Sequence, residues 1–278
     1  MSATGGTWAW IDDAGVRHSL NRPGLQTRTL TNLYSVPPLR GEDVVIASYP
    51  GELWLEKMHS ARRIDLELLI YDQQGILANV YATLQELAQA FGIHNQGSLV
   101  HYRPDGTVVT ATAQVNSWVS PRTDAGPFSP KQQGPLGIWY IAVAPFNLAD
   151  PYFYGSTITV GPTSLASGSG LQTVTHPGTV RGWKPVFTFA GPCSNPQVVN
   201  AANGYSLQAL VTVPSGQSLV IDCGAWTATL NGTSVIGSIV HSGGFPFMEF
   251  EPGANPLTIT GGTGAGASVT TAFAPPYL

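Results

Sequence analysis

Residues 63–71 read RIDLELLIY, apolar at Ile64, Leu66, Leu68 and Ile70 and mostly polar in between. A period of two is that of a strand with one face on a core. Residues 79–92, NVYATLQELAQAFG, place Val80, Leu84, Leu87 and Phe91 at helical spacing. They predict a helix over 79–92, with Asn79 as N-cap and Gly92 as the stop. Next, LVHYRPDGTVVTATAQVNSWV sets Pro104-Asp105-Gly106 between two β-rich runs, the turn chemistry of a hairpin. Residues 120–135, SPRTDAGPFSPKQQGP, are polar and rich in Pro and Gly and lead into GIWYIAVAPF. They predict an extended arm over about 118–140, and loops of such length in compact domains are usually functional or disordered.

Beyond ADPYFYG the pattern changes to short apolar runs separated by turns: KPVFTFAG, PQVVNA, SLQALVTV, QSLVIDC, WTATLNG, FMEFEPG, NPLTITG and ASVTTAF. Successive strands without a helix predict a β-sandwich. Charge shifts at the same place. From residue 152 onward Arg181 and Lys184 are the only bases and Asp222, Glu249 and Glu251 the only acids, out of 12 and 16 in the whole chain. The expectation is two domains, 1–151 with the helix and the arm, and 152–278 as the sandwich. The fold class expected is mainly β.

The net charge of −4 and the absence of any basic cluster argue against a nucleic-acid grip. Charged residues make up 10% of the chain, against roughly 25% in ordinary globular domains. A surface so poor in charge predicts burial in an assembly. The start MSATGGTWAWIDDAG has neither a basic n-region nor an apolar h-region, so a cytoplasmic protein is expected. No apolar run approaches the roughly 20 residues of a membrane span.

The residues with chemical potential do not form a known catalytic pattern. His18, His59, His94, His101, His176 and His241 lack HxH or HExxH spacing, so no metal is expected. No GxSxG elbow or GxxxxGK[ST] loop occurs, and Gly262, Gly264 and Ala267 in GGTGAGA read as a hairpin turn because a strand-like run follows. Glu249 and Glu251, two apart, would share one face of a strand and could hold a cation or do acid–base work. Without a third ligand they read as polar residues of an outward face. Asp222 adjoins Cys223, with no base nearby to form a thiolate. Asp222 reads as a turn acceptor, and Cys193 and Cys223 as buried free thiols, a disulfide between them remaining the alternative. Trp183 and Trp226, with Tyr205, could stack on sugar rings or fill a core. Asn231-Gly232-Thr233 has the form of a glycosylation acceptor, without meaning for a chain that is not secreted. No catalytic, cofactor-binding or metal residue is assigned, and no enzyme is expected.

The order FAGPCSNPQVVN, LVIDC and FEPGANPLTITG, preceded by ARRIDLELLIYD, NVYATLQELAQAFG and ADPYFYG, resembles the distal tail proteins of long-tailed bacteriophages. That resemblance covers the chain from about residue 40 onward. It implies a structural virion protein of the tail tip or baseplate, assembled in the host cytoplasm. The N-terminal domain would form a homohexameric ring, its arm would embrace a neighbour, and a galectin-like C-terminal sandwich would be displayed outside. Implied partners are the tail tube protein, the tail-tip hub protein and the tape measure protein, with DNA passing through the lumen unbound. A slight acidic excess in the N-terminal part fits such a lumen, since phosphate contacts need Lys and Arg. Host-wall carbohydrate at the C-terminal sandwich is the alternative partner. Among charged residues of that half Arg181 stands far in sequence from Glu249 and Glu251, so galectin-like shape does not by itself imply lectin activity.

Overall fold

A computed structural model describes residues 7–31, 37, 39–40, 44–45, 52–53, 58–92, 96–115, 137–182, 184–242 and 247–278. The chain divides into two compact units, Met1–Phe153 with Leu278, and Tyr154–Tyr277. Both are mainly β.

The N-terminal unit is built on strands β1 (Thr7–Ile11), β2 (Arg17–Ser19), β3 (Leu25–Thr31), β4 (Arg62–Asp72), β5 (Gln96–Tyr102), β6 (Val108–Val115) and β7 (Ile138–Leu148), with one helix among the described residues, α1 (Leu77–Ala90). The strands pair antiparallel in the order β2-β1-β5-β6-β7-β4-β3. Alternation in β4 is as the sequence predicts: Ile64, Leu66, Leu68 and Ile70 are fully buried. Residues 118–136 of the expected arm lie outside the described residues. Its last part is strand, since Ile138, Trp139 and Tyr140 pair with Asp72, Tyr71 and Ile70.

The helix starts two residues before Asn79, which is therefore not its N-cap. Asp72, at the end of β4, accepts the Ile76 N–H at 2.6 Å and the Asn79 side-chain amide at 3.2 Å. Gly75 has φ +76°, which a residue with a Cβ adopts at a cost, and its N–H donates to the Asp72 carbonyl at 3.1 Å. This turn delivers the chain directly into Leu77. At the other end Phe91 caps the helix and Gly92 follows it. Val80, Leu87, Ala90 and Phe91 are buried.

Trp10 joins that helix to the sheet. It is fully buried, its Nε1–H donates to the Ala90 carbonyl at 2.8 Å, and its ring lies 6.0 Å from Phe91 and 5.3 Å from Phe146. The bond supplies a donor to one of the last helix carbonyls, which have none within the helix. Gly97 makes room for the indole, because a Cβ there would collide with the Trp10 ring and the Ile11 carbonyl.

The C-terminal unit contains β8 (Ile158–Ser164), β9 (Ser169–His176), β10 (Val186–Ala190), β11 (Cys193–Asn200), β12 (Ser206–Ala209), β13 (Thr212–Val213), β14 (Ser218–Asp222), β15 (Thr227–Leu230), β16 (Thr233–Ser234), β17 (Ile239–Ser242), β18 (Gly253–Gly262) and β19 (Ser268–Phe273). They form two antiparallel sheets, β8-β19-β10-β14-β15-β16 and β9-β18-β11-β12-β17, with β13 paired to β11. Phe187, Phe189, Val198, Leu219, Ile221, Ile259 and Val269 belong to one buried cluster between inward-facing positions. On the outer side of the second sheet Leu171, Thr173, Pro256 and Thr258 are exposed, and none of the side chains is charged.

One predicted strand is absent: within FMEFEPG, residues 247–252 are irregular, with an isolated bridge from Phe250 to Gly182, and Gly253 already begins β18. Two buried asparagines explain why. Asn255 accepts the Glu251 N–H at 2.8 Å and donates to the Glu251 carbonyl at 2.7 Å and the Gly253 carbonyl at 3.2 Å. Asn200 donates to the Glu249 carbonyl at 2.9 Å and to the Asn255 side-chain oxygen at 3.1 Å. Side-chain amides take the place of a ladder, so the backbone is satisfied without a neighbouring strand.

Candidate functional site

The five charged residues of the C-terminal unit fall on three segments that the fold brings together. Gly182 and Phe250 exchange backbone hydrogen bonds at 2.9 and 2.7 Å, which sets Arg181 beside the two glutamates. The Arg181 guanidinium lies 3.0 Å from the Glu251 carboxylate and 3.8 Å from that of Glu249. Sequence distance had kept these residues apart, and the bridge closes it. The two glutamates therefore do not project from a strand face; they share one guanidinium. Glu251 raises the Arg181 value, so the cation is fixed at any physiological pH. Arg181 is 59% exposed at its side chain, so the pairing contributes little to stability.

Lys184 and Asp222 lie at the same segments. The Cys223 N–H donates to the Pro185 carbonyl at 3.0 Å, and the Lys184 ammonium sits 4.5 Å from the centre of the Tyr154 ring. Asp222 accepts the Ala225 N–H at 2.8 Å, the turn role that its sequence context predicts. Cys193 and Cys223 are both buried and unpaired, and burial pushes both thiols up, away from nucleophilic thiolate.

His176 is held as a neutral ring. A backbone carbonyl can only accept, so the 2.7 Å contact with the Val180 carbonyl puts the proton on Nε2. Nδ1 accepts the Gly178 N–H at 2.9 Å. Burial lowers its value below the ordinary 6.5, against smaller raising effects of Val180 and Glu251. A depressed histidine contributes stability that is complete above 6.5 and falls as pH drops from there. Calorimetry of the full chain should show the C-terminal unit's melting temperature falling as pH drops below 6.5. The fall should vanish in His176→Phe, which cannot titrate.

Trp226 is half-buried at the edge of the core. It has φ +58° and its ring packs at 4.7 Å against Phe247, at the edge of the core cluster that Tyr205 also borders. Trp183 lies outside the described residues. Asn231 and Gly232, at φ 47° and 84°, form the tight turn between β15 and β16. In GGTGAGA, Gly261 and Gly262 end β18, and residues 263–267 turn the chain into β19, with the Ala267 N–H donating to the Gly264 carbonyl at 3.2 Å. The remaining histidines are dispersed. His18 contacts Asp12 at 3.0 Å and Glu86 at 3.8 Å, His101 stacks on Trp8, and His241 faces Phe247. His59 lies in a short strand and His94 outside the described residues. Among the described residues no group of three or more His, Cys, Asp or Glu could hold a metal ion. None of their helices is long and apolar enough to cross a membrane.

Comparison with known proteins adds what the side chains alone do not carry. Residues 178–277 match the family of siphovirus-type tail component, C-terminal domain. No curated protein sequence matches the chain. The crystal structure of the Dit (gp 19.1) protein of phage SPP1, described as a paradigm of hub adsorption apparatus in phages infecting Gram-positive hosts, shares its fold. The TM-score is 0.63 at 12% identity, over 98% of this chain and 99% of that one. A chain of the phage p2 baseplate in its activated conformation is more remote, with TM-score 0.40 and 9% identity over 96% and 97%. The matched segment begins just before Arg181 and ends on Tyr277, so it includes the guanidinium–carboxylate cluster, both asparagines and most of the sandwich. Residues 178–277 thus carry the C-terminal domain of a siphovirus-type tail component, and the chain as a whole has the fold of the SPP1 Dit protein.

Proposed function

We propose that this chain is the hub ring of a siphovirus tail tip, a homohexamer that joins the tail tube to the tail-tip proteins. The N-terminal domain, 1–151, forms the ring, and the galectin-like sandwich, 152–278, is displayed outside it. The carrying observation is the tail-component match over 178–277 on a chain whose full length follows the architecture of a Dit protein. Physical features agree with it. The described sheet path of the N-terminal unit ends on β2 and β3, and open strand edges offer a neighbour backbone groups to pair with. A ring of identical subunits needs two different complementary patches on each, which two different edges supply. The scarcity of charge fits surfaces that are covered on assembly.

Light scattering on the purified chain tests this reading. The expected mass is six times that of the 29.3 kDa chain, with a central hole visible in negative-stain images. A strictly monomeric protein at high concentration, with no tail tube protein able to nucleate a ring, would sink it.

A further inference from the structure

In the N-terminal unit Trp8 and His101 face each other across the β1–β5 pair. Their rings are parallel within 4°, with centres 4.0 Å apart, and Phe153 meets the indole edge-on at 6.0 Å. Both residues are buried, at 1% and 3% exposure. Among the described residues neither the Trp8 Nε1 nor the His101 Nε2 has a hydrogen-bond partner, although nearly all buried polar atoms in folded proteins do. A neutral imidazole can leave Nε2 bare at modest cost. An imidazolium would place an N–H and a positive charge there with no acceptor to receive them.

The position of the pair in the sheet gives that cost a direction. Among the described strands β1 pairs with β5 on one side and β2 on the other, so the β1–β2 hairpin meets the rest of the sheet through β5, while His18 of β2 contacts Glu86 of the helix at 3.8 Å. Trp10 anchors the far end of β1 to the helix through Ala90, and Trp8 has no such tie from its ring. We propose that the Trp8–His101 stack is a proton-sensitive latch: neutral His101 seats the Trp8 end of the β1–β2 hairpin on β5, and protonation at Nε2 loosens it.

The charged groups acting on His101 are Arg103, which disfavours its charge, and Asp105, which favours it. Burial outweighs both and brings the imidazole to about 4. Stacking on the indole face offsets the charge only in part. A histidine at about 4 when closed and at its ordinary value when open takes up its proton preferentially in the open form. Its contribution is complete above 6.5, falls as pH drops through 6.5, and is gone below about 4. From pH 7.5 to 5 the population of the open form should rise about 30-fold.

Hydrogen exchange of the full chain at these two pH values, corrected for intrinsic rates, tests the latch. The readout is residues 7–19, with residues 186–190 of the other unit as reference. Protection over 7–19 should fall about 30-fold more than in the reference, and His101→Gln should remove the difference. Equal loss in both segments of the unsubstituted chain, or the same loss in His101→Gln, would overturn the proposal. If circular dichroism shows that His101→Gln does not fold at pH 7.5, NMR titration of the unsubstituted chain decides. A His101 midpoint near 4 supports the latch, and one near 6.5 overturns it.

Discussion

Trp10→Ala is expected to destabilise the N-terminal unit by about 4 kcal/mol, within the range for removing a fully enclosed aromatic side chain. Two losses combine. The cavity would open between Phe91 and Phe146, whose rings pack against the indole, and the Ala90 carbonyl would lose the donor that it receives at 2.8 Å. Trp10→Phe separates them, because it keeps much of the volume and lacks the N–H; about 1–2 kcal/mol is expected for it. Chemical denaturation followed by circular dichroism should show the N-terminal transition moving to lower denaturant while that of the C-terminal unit stays in place. Equal movement of both transitions, or none, would contradict this account of the Trp10 contacts.

Asn255→Ala should have an effect of similar size, about 3 kcal/mol, confined to the C-terminal unit. Asn255 is fully buried, and its amide answers the Glu251 N–H, the Glu251 and Gly253 carbonyls and the Asn200 side chain. Alanine leaves all of these without that partner in a site closed to water. The backbone of residues 249–253 should then loosen, and Arg181 would lose the fixed positions of its two carboxylates. Calorimetry measures the first effect. The second would appear in NMR as loss of the protected Glu251 amide.

Much of the fold was legible where one side of an element is apolar and the other polar. The alternation in β4 and the helix of residues 77–90 carry that signal, and the hairpin of β5 and β6 was legible from its Pro104-Asp105-Gly106 turn. β9 escaped because its inward positions include polar residues: Gln172 and His176 flank Val174 on the buried face. Gln172 is satisfied by the Val160 carbonyl and Thr163 of the preceding strand and by the Val269 carbonyl and Thr271 of β19, which is distant in sequence. FMEFEPG failed in the opposite sense. Its apolar alternation is strand-like, and two asparagines remote in sequence or just beyond it take over its hydrogen bonds. The candidate cluster was hidden for the same reason, since only the Gly182–Phe250 bridge brings Arg181 to Glu249 and Glu251. Local chemistry was easier to read: the turn role of Asp222 and the buried, unreactive thiols follow from immediate neighbours alone.

The gathering of every charge of the sandwich into three adjoining segments has a consequence for how its sheet faces meet other molecules. Faces such as that of Leu171, Thr173, Pro256 and Thr258 present hydroxyls and hydrocarbon groups, with no ion to be screened. Added salt acts on contacts between ions and leaves shape complementarity and neutral hydrogen bonds nearly untouched. Whatever binds these faces should therefore stay attached in brine, and only the Arg181 end of the domain should respond to ionic strength.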